Sequence, residues 1–480
     1  MHIEVIDSFQ AFTQAKGNWD AVYEADPEAQ FFLSWTWMSK WLEWIEDQWF
    51  ILAAKPNVKA PAYVAFFPLR LRTEMRKGGG FYNELNMAGR PAADYTGLIC
   101  APEFQDDAIP AFAEYIRRLN WAIIDLEYTC FSEGRARLFL DGFAVQEFEI
   151  KIPPHDYSDE TKETNLCICP YIRLPSDWDT YLFENVGQST RQKIRRFLRK
   201  VENSEEFRIT HANADTIGRD LEILLRFWGL KWGPRKGERA RRIQDRTRVM
   251  LTHCFENGSL FLPVLWKGDA PLGALAILVD AVKRSLLFRI GGRDETFNGL
   301  PPGFILHAYS IRYGIKNGFT VYDFLRGNEP YKYSFGANER CINHIVIKTK
   351  GGENLGKNLD SRSLPVALQL ATELHQDGQL AEAKLGYQQI LELEPQCPSA
   401  LYGLGQIMAK EGNYGSAEQL FKILVDVKPD SYMAWIRLGD ALAARHRFLA
   451  ATDAYCEAIR RRPASPAAYN ELGHAWPGLG

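Results

Sequence analysis

Side chains that can move protons or hold charge crowd between residues 323 and 333: Asp323, Arg326, Glu329, Tyr331, Lys332 and Tyr333. A carboxylate can act as a general base and a phenol as a general acid, while a neighbouring cation orients either one. Glu329 is the preferred base, because Pro330 disfavours helix in the residue before it and so predicts an extended loop. Asp323 is expected to orient Arg326 or Lys332. The plainer alternatives are a structural Asp323–Arg326 ion pair and a core position for Tyr331. Upstream, Pro302 suits the first turn of a helix, where its missing N–H costs nothing. Gly303 beside it leaves the backbone open, and free amides at a helix start make an anion site. The bland counterpart is an ordinary loop before an ordinary helix.

A third candidate is basic. Arg191, Lys193, Arg195, Arg196, Arg199 and Lys200 fall within ten residues. Ile194, Phe197, Leu198 and Val201 form an apolar stripe at helical spacing among them. Such a run is either a solvated face or a rim that attracts an anionic ligand, with Arg191 and Arg195 as the expected contacts.

These residues need a scaffold, and the segment from Ser285 to Phe335 reads strand, loop, helix, strand, loop. Strands are predicted over 285–291 and 320–325, with a helix over 302–317 between them. Further strands fall at 259–266 and 271–280, joined by Lys267-Gly268-Asp269 as a hairpin turn. A helix covers 190–202. The first part of the chain alternates similarly, with a Trp-rich helix over 31–46 and strands over 62–72 and 121–127.

Beyond residue 350 the pattern changes to a repeat. Pro395, Pro429 and Pro463 share a spacing of 34 with Gly405, Gly439 and Gly473. Ala383, Ala417 and Ala451 keep the same register, as do Tyr387, Phe421 and Tyr455. Small residues where helices cross, large ones filling the groove and a closing Pro are the tetratricopeptide pattern. The repeats occupy 364–480, about three and a half units, after a Gly-rich polar linker over 348–363 whose Gly351–Gly356 stretch is expected to let the array swing. The last unit stops at a helix broken by Pro477 and Gly478, either a cap or a truncated chain.

Composition narrows the classes. The formal charge of −3, from 57 Lys+Arg against 60 Asp+Glu, makes nucleic acid an unlikely partner. The eight cysteines show no paired CxxC spacing and the histidines no ligand spacing, so reduced thiols and no metal are expected. No basic segment followed by an apolar run opens the chain, and the apolar stretch 273–282 is too short to span a bilayer. A cytoplasmic protein without membrane insertion is expected.

Pro302-Gly303, the helix ending at Asn317-Gly318, and Asp323-Phe324-Leu325-Arg326-Gly327-x-Glu329-Pro330-Tyr331-Lys332 together resemble the CelD/BcsL-type acyltransferases, a group of the GNAT superfamily linked to bacterial cellulose and exopolysaccharide operons. The likeness extends to the basic helix and to the Trp-rich helix after Phe32-Leu33-Ser34. The layout is similar to the FemAB-type transferases, which carry two such folds in tandem. The resemblance implies a mixed α/β sheet in each of two halves, 1–160 and 161–347, followed by an all-α array. It implies central strands that splay apart for the pantetheine arm of acetyl-coenzyme A or another acyl-coenzyme A. Ile290, Gly291 and Gly292 would pair with the pantetheine amides, and the Pro302, Gly303 and Phe304 backbone would face the pyrophosphate. One departure stands out: the usual Q/R-x-x-G-x-G/A loop is replaced by the longer 293–303 stretch. Tyr331 becomes a candidate acid for the departing thiolate. The acceptor expected is a small molecule or glycan: a sugar, sugar nucleotide or polysaccharide precursor, with Arg191, Arg195, Arg326 and Tyr333 as contacts. The repeats would tether a protein partner. An aminoacyl-tRNA-dependent transferase and a non-catalytic scaffold are the alternatives.

Overall fold

A computed structural model describes residues 1–152, 164–464 and 466–475. The expected boundary at 160 and the tail from Trp476 lie outside the described residues. Two mixed sheets are formed. The first uses β1 (His2–Ile6), β2 (Gln48–Lys55), β3 (Ala65–Met75), β4 (Phe81–Met87), the short β5 (Ile99–Cys100), β6 (Ile123–Thr129) and β7 (Phe148–Lys151). The second uses β8 (Ile168–Arg173), β9 (Phe207–His211), β10 (Leu260–Phe261), β11 (Pro263–Lys267), β12 (Ala270–Asp280), β13 (Ser285–Arg293), β14 (Val321–Asp323) and β15 (Asn338–Cys341). The last strand, β16 (Asn343–Thr349), returns to the first sheet between β6 and β7.

Strand order is β1-β2-β3-β4-β6-β16-β7 in the first sheet and β15-β8-β14-β13-β12-β11-β9 in the second. The return of β16 means that 161–347 is not the extent of one sheet. Ile345 and Ile347 of β16 are fully buried in the first half's core beside Ile124 and Leu126.

The burial pattern explains the layers. One face of the first sheet packs on the helices Gln105–Ile116 and Glu133–Leu140 through Phe67, Leu85, Phe112 and Phe139. One face of the second sheet packs on the helices Gln188–Glu202 and Pro302–Lys316 through Ile194, Leu198, Ile277, Leu286 and Ile311. Between the sheets lies a shared apolar layer. Trp19, Trp37 and Trp41 of the first half meet Leu224, Phe227 and Leu251 from the helices Ile217–Lys236 and Arg239–Glu256. The Trp-rich helix, Trp35–Trp44, is capped by Ser34, whose hydroxyl accepts from the Trp37 N–H. It places Trp37, Met38, Trp41 and Leu42 on one buried face, which accounts for the aromatic load of this segment.

Helices from Leu364–Gln376 to Pro466–Ala475 form the expected array. A Cβ on Gly405 would sit 2.6 Å from the Phe421 ring, and one on Gly439 2.4 Å from that of Tyr455. Close helix crossing therefore requires these glycines. The array is not on a swinging tether. Asn354 is buried and accepts from the Asn83 N–H at 2.9 Å, while Asn83 in turn accepts from the Asp360 N–H at 2.8 Å. Leu355 joins the first half's core, and Phe81 of β4 is buried among the repeat helices. A linker whose own polar side chains complete the first half's hydrogen bonds cannot move freely.

Candidate functional site

The site begins where two strands part. β13 runs parallel to β14 over only Ser285–Leu287, paired with Val321–Asp323, while its other edge follows β12 as far as Arg293. The register with β12 slips where Ala276 faces Ile290 and Ile277 faces Phe288, so Arg289 is the extra residue of a bulge. A bulge bends its strand and increases twist. β13 therefore leaves β14 at this point, and no described strand pairs its free edge over 288–293.

Gly291 and Gly292 lie on that edge, and both have packing reasons. A Cβ on Gly292 would meet Phe227 Cβ at 2.6 Å and the Leu224 carbonyl at 2.9 Å, so the 217–236 helix presses directly on the strand. A Cβ on Gly291 would meet Leu275 at 2.7 Å. The 302–316 helix starts beside this strand. Pro301 gives it no side-chain cap, and a Cβ on Gly303 would have nothing within 4 Å. The Phe304 side chain is partly buried against the core, its ring 5.0 Å from that of Phe335.

The loop after β14 is strongly organised. Glu329 is extended, with φ −59° and ψ 136°, and precedes a single turn, Pro330–Tyr333, as the proline predicts. Lys332 is 2% exposed; its ammonium donates to the carbonyls of Arg326 at 2.9 Å and Gly327 at 2.8 Å, and pairs with Glu329 Oε2 at 2.8 Å. That ammonium is a bracket for the loop. Tyr331 keeps a partly exposed ring, 5.6 Å from the ring of His307. Burial raises the Tyr331 phenol well above its ordinary range, and the nearby Glu329 carboxylate adds to this, so it stays protonated. Tyr333 donates to Glu339 at 2.5 Å. His307 is buried; burial, helped by the Lys332 ammonium, pushes its pKa down to about 3, and its Nδ1 lies 2.9 Å from the Tyr322 hydroxyl.

Asp323 does not orient Arg326 or Lys332. Its carboxylate accepts from the Tyr95 hydroxyl at 2.9 and 3.0 Å and from the Leu325 N–H at 2.7 Å, with Arg340 3.5 Å away. Burial raises its pKa against these contacts. Arg326 instead reaches Asp94, which its Nε meets at 2.9 Å, and Arg289 binds the other oxygen of the same carboxylate. Burial alone would favour a neutral Asp94, but Arg289 and Arg326 outweigh it and hold the carboxyl below its usual range. Arg326 Nη1 has no partner among the described residues. Its guanidinium stacks 3.7 Å from the Tyr128 ring centroid, with Arg90 at 3.9 Å from the same ring.

Arg191 and Arg195 take other duties than the expected ones. Arg191 donates to the carbonyls of Phe183 and Val186, and Arg195 binds Asp179 at 2.9 Å. Arg191 thus ties the 188–202 helix to the segment 183–186 before it, and Arg195 ties it to the helix Trp178–Glu184 through an exposed ion pair. Asp94, Tyr95, Arg289 and Arg340 escaped sequence reasoning. Asp94, Tyr95 and Arg340 carry no spacing signal, and Arg289 is set apart only by the bulge. On the polar face of the first sheet, His344 lies 2.6 Å from Asp125, and Glu127 is bound by Arg90 at 2.8 Å.

Residues 188–333 match the family described as the acetyltransferase (GNAT) domain. Residues 374–438 and 409–468 match tetratricopeptide repeat families. The chain thus carries a GNAT-type acetyltransferase domain followed by tetratricopeptide repeats. Among solved structures, FemX is similar over 71% of this chain and 96% of its own, at 10% identity and a TM-score of 0.49. The first repeat domain of Spaghetti (RPAP3), bound to an HSP90 peptide, is similar over 25% of this chain and 95% of its own, at 21% identity and a TM-score of 0.24. A curated relative, human tetratricopeptide repeat protein 7B, is 29% identical over 90 residues, 19% of this chain; the chain spans only 11% of that protein's length. No described helix is long and apolar enough to cross a membrane.

Proposed function

We propose that the chain is an acyl-coenzyme A-dependent acyltransferase, with acetyl-coenzyme A as donor and a sugar, sugar nucleotide or polysaccharide precursor as acceptor. The observation that carries this reading is the parting of β13 from β14 after three register pairs, at a bulge centred on Arg289. The free edge of Ile290, Gly291 and Gly292 offers peptide groups to the pantetheine amides, and the Gly303 and Phe304 amides take the pyrophosphate. Gly303 fits this part, because nothing in the protein occupies the space its Cβ would enter. When bound, the thioester supplies an activated carbonyl and a thiolate leaving group.

The protein's own work is proton handling and orientation. Glu329 is the base: Oε2 is held by Lys332, which leaves Oε1 to take the acceptor's proton. Tyr331, protonated at neutral pH, is the proton source for the leaving group. Arg326, at the end of the split, is the acceptor contact. The repeats hold a protein partner, which suits a tether to a synthesis complex in the cytoplasm. Calorimetry with acetyl-coenzyme A and a thiol-release assay against sugar nucleotides test the reading. Saturable binding with acceptor-dependent thiol release is expected. No binding, or retention of charged tRNA instead, would overturn it.

A further inference from the structure

We propose that Asp94 and Tyr95, adjacent residues of the first half, are the positioning residues that fix the width of the slot between β13 and β14. The inference rests on the coenzyme reading above and gives the first half a role in it. Asp94 binds Arg289, the bulged residue at which β13 turns away, and with its other oxygen binds Arg326, beyond the end of β14. Arg289 also donates to the Ala92 carbonyl at 2.8 Å, on the same loop. Tyr95 grips Asp323, the last residue of β14, through both carboxylate oxygens. Each side of the split is thus tied to one short loop of the other half.

Arg326 and Arg289 also lie over the Tyr128 and Trp37 rings of the first half, but a further set of polar links between the halves lies away from the split. Tyr23 donates to Asp280 at 2.5 Å, and Lys283 donates to the carbonyls of Tyr23 and Asp26 at 2.5 and 2.7 Å. Asp280 pairs with Ser285, at the end of β13 where β13 and β14 are still joined. Those contacts hold the halves together without spanning the split. Charge supports the distinction. Asp94 is the shared counter-ion of two guanidiniums on opposite sides of the slot, so neutralising it leaves like charges facing each other. Asp94, Tyr95 and Asp323 are all buried, and water cannot readily replace these contacts.

The test uses the full chain with acetyl-coenzyme A as the calorimetric probe and amide exchange over 288–293 and 324–329 as a ligand-free readout. Asp94→Asn and Tyr95→Phe should raise exchange in both segments and weaken acetyl-coenzyme A binding tenfold or more. Tyr23→Phe removes a comparably buried link between the halves and should change neither readout while lowering stability. Should Asp94→Asn fail to fold, Arg289→Lys, which keeps the charge but loses the forked contact, takes its place. Wild-type exchange in the folded variants, unchanged affinity despite raised exchange, or the same changes in Tyr23→Phe would overturn the proposal. A wild-type protein that binds no acetyl-coenzyme A would sink the coenzyme reading, and the exchange comparison would still decide whether these residues hold the strands.

Discussion

Gln389 of the repeat array and Phe81 of β4 exchange two hydrogen bonds: Gln389 Oε1 accepts from the Phe81 N–H at 2.6 Å, and its Nε2 donates to the Phe81 carbonyl at 3.0 Å. A side-chain amide here continues the pairing of a sheet edge. The Phe81 ring fills the space beside Gly386, where a Cβ would lie 2.6 Å from it. The first helix pair of the array is therefore built onto the first half.

Replacing Gln389 by Ala should leave the Phe81 backbone groups unpaired and cost about 1–3 kcal/mol. Limited proteolysis would then detect earlier cleavage within 351–358. For the same reason a chain ending at Lys350, which exposes Phe81 and loses Asn354 and Leu359, should aggregate or unfold at lower temperature than the full chain. Equal thermal stability of the two would show that the docking is incidental.

A Cβ on Gly303 has nothing within 4 Å, so the effect of Gly303→Val on stability should be small. If the Gly303 amide lies against a pyrophosphate, affinity for acetyl-coenzyme A should drop at least tenfold, about 1.4 kcal/mol. Calorimetry with parallel thermal melts separates the two effects.

Lys332→Met removes an ammonium held by two carbonyls and a carboxylate in a nearly closed site. Breaking such a buried charge contact costs about 3–5 kcal/mol. Urea unfolding should show the loss. Glu329→Gln keeps the shape of the loop and the two carbonyl contacts of Lys332 but removes its counter-charge, so it should lose some stability, less than Lys332→Met, and lower turnover about 10²–10⁴-fold, the usual contribution of a general base. Intact turnover in both Glu329→Gln and Tyr331→Phe would remove these residues from the chemistry.

His307 predicts a pH dependence. Unfolded, its imidazole titrates near 6.5; folded, at about 3. Between those values the unfolded chain binds a proton that the folded chain refuses. Its contribution is therefore intact above pH 6.5 and is lost as pH falls toward 3, by about 2 kcal/mol at pH 5. His307→Gln should flatten the fall in stability between pH 6.5 and 5 in denaturant titrations. An unchanged slope would mean that other groups control it.

Local rules make several elements legible in the sequence. The Pro302 helix start, the Gly268 turn between β11 and β12 and the Ile194–Leu198–Val201 stripe each depend on neighbours within a turn or a hairpin. The extended Glu329 before Pro330 is of the same kind. Contacts that depend on distant partners are not legible in this way. Arg191 and Arg195 are expected on a solvated face or a ligand-binding rim, and the fold gives each of them partners in the preceding segment that their spacing does not announce. Asp323 is expected to orient Arg326 or Lys332 nearby, whereas its carboxylate is bound by Tyr95, 228 positions away. A buried carboxylate takes the donors that the fold brings to it, and sequence proximity carries no weight in that choice.

By itself, the sequence determined the two kinds of architecture, the repeat register and the loop that concentrates Glu329, Tyr331 and Lys332, because periodicity and backbone restriction are local properties. Only the tertiary structure decided that β16 returns to the first sheet, that Asn354 and Gln389 dock the repeats, and that Asp94 and Tyr95 meet both sides of the slot. Those outcomes follow from burial: once two sheets share an apolar layer, each enclosed charge or amide must find a partner across it, wherever in the chain that partner lies.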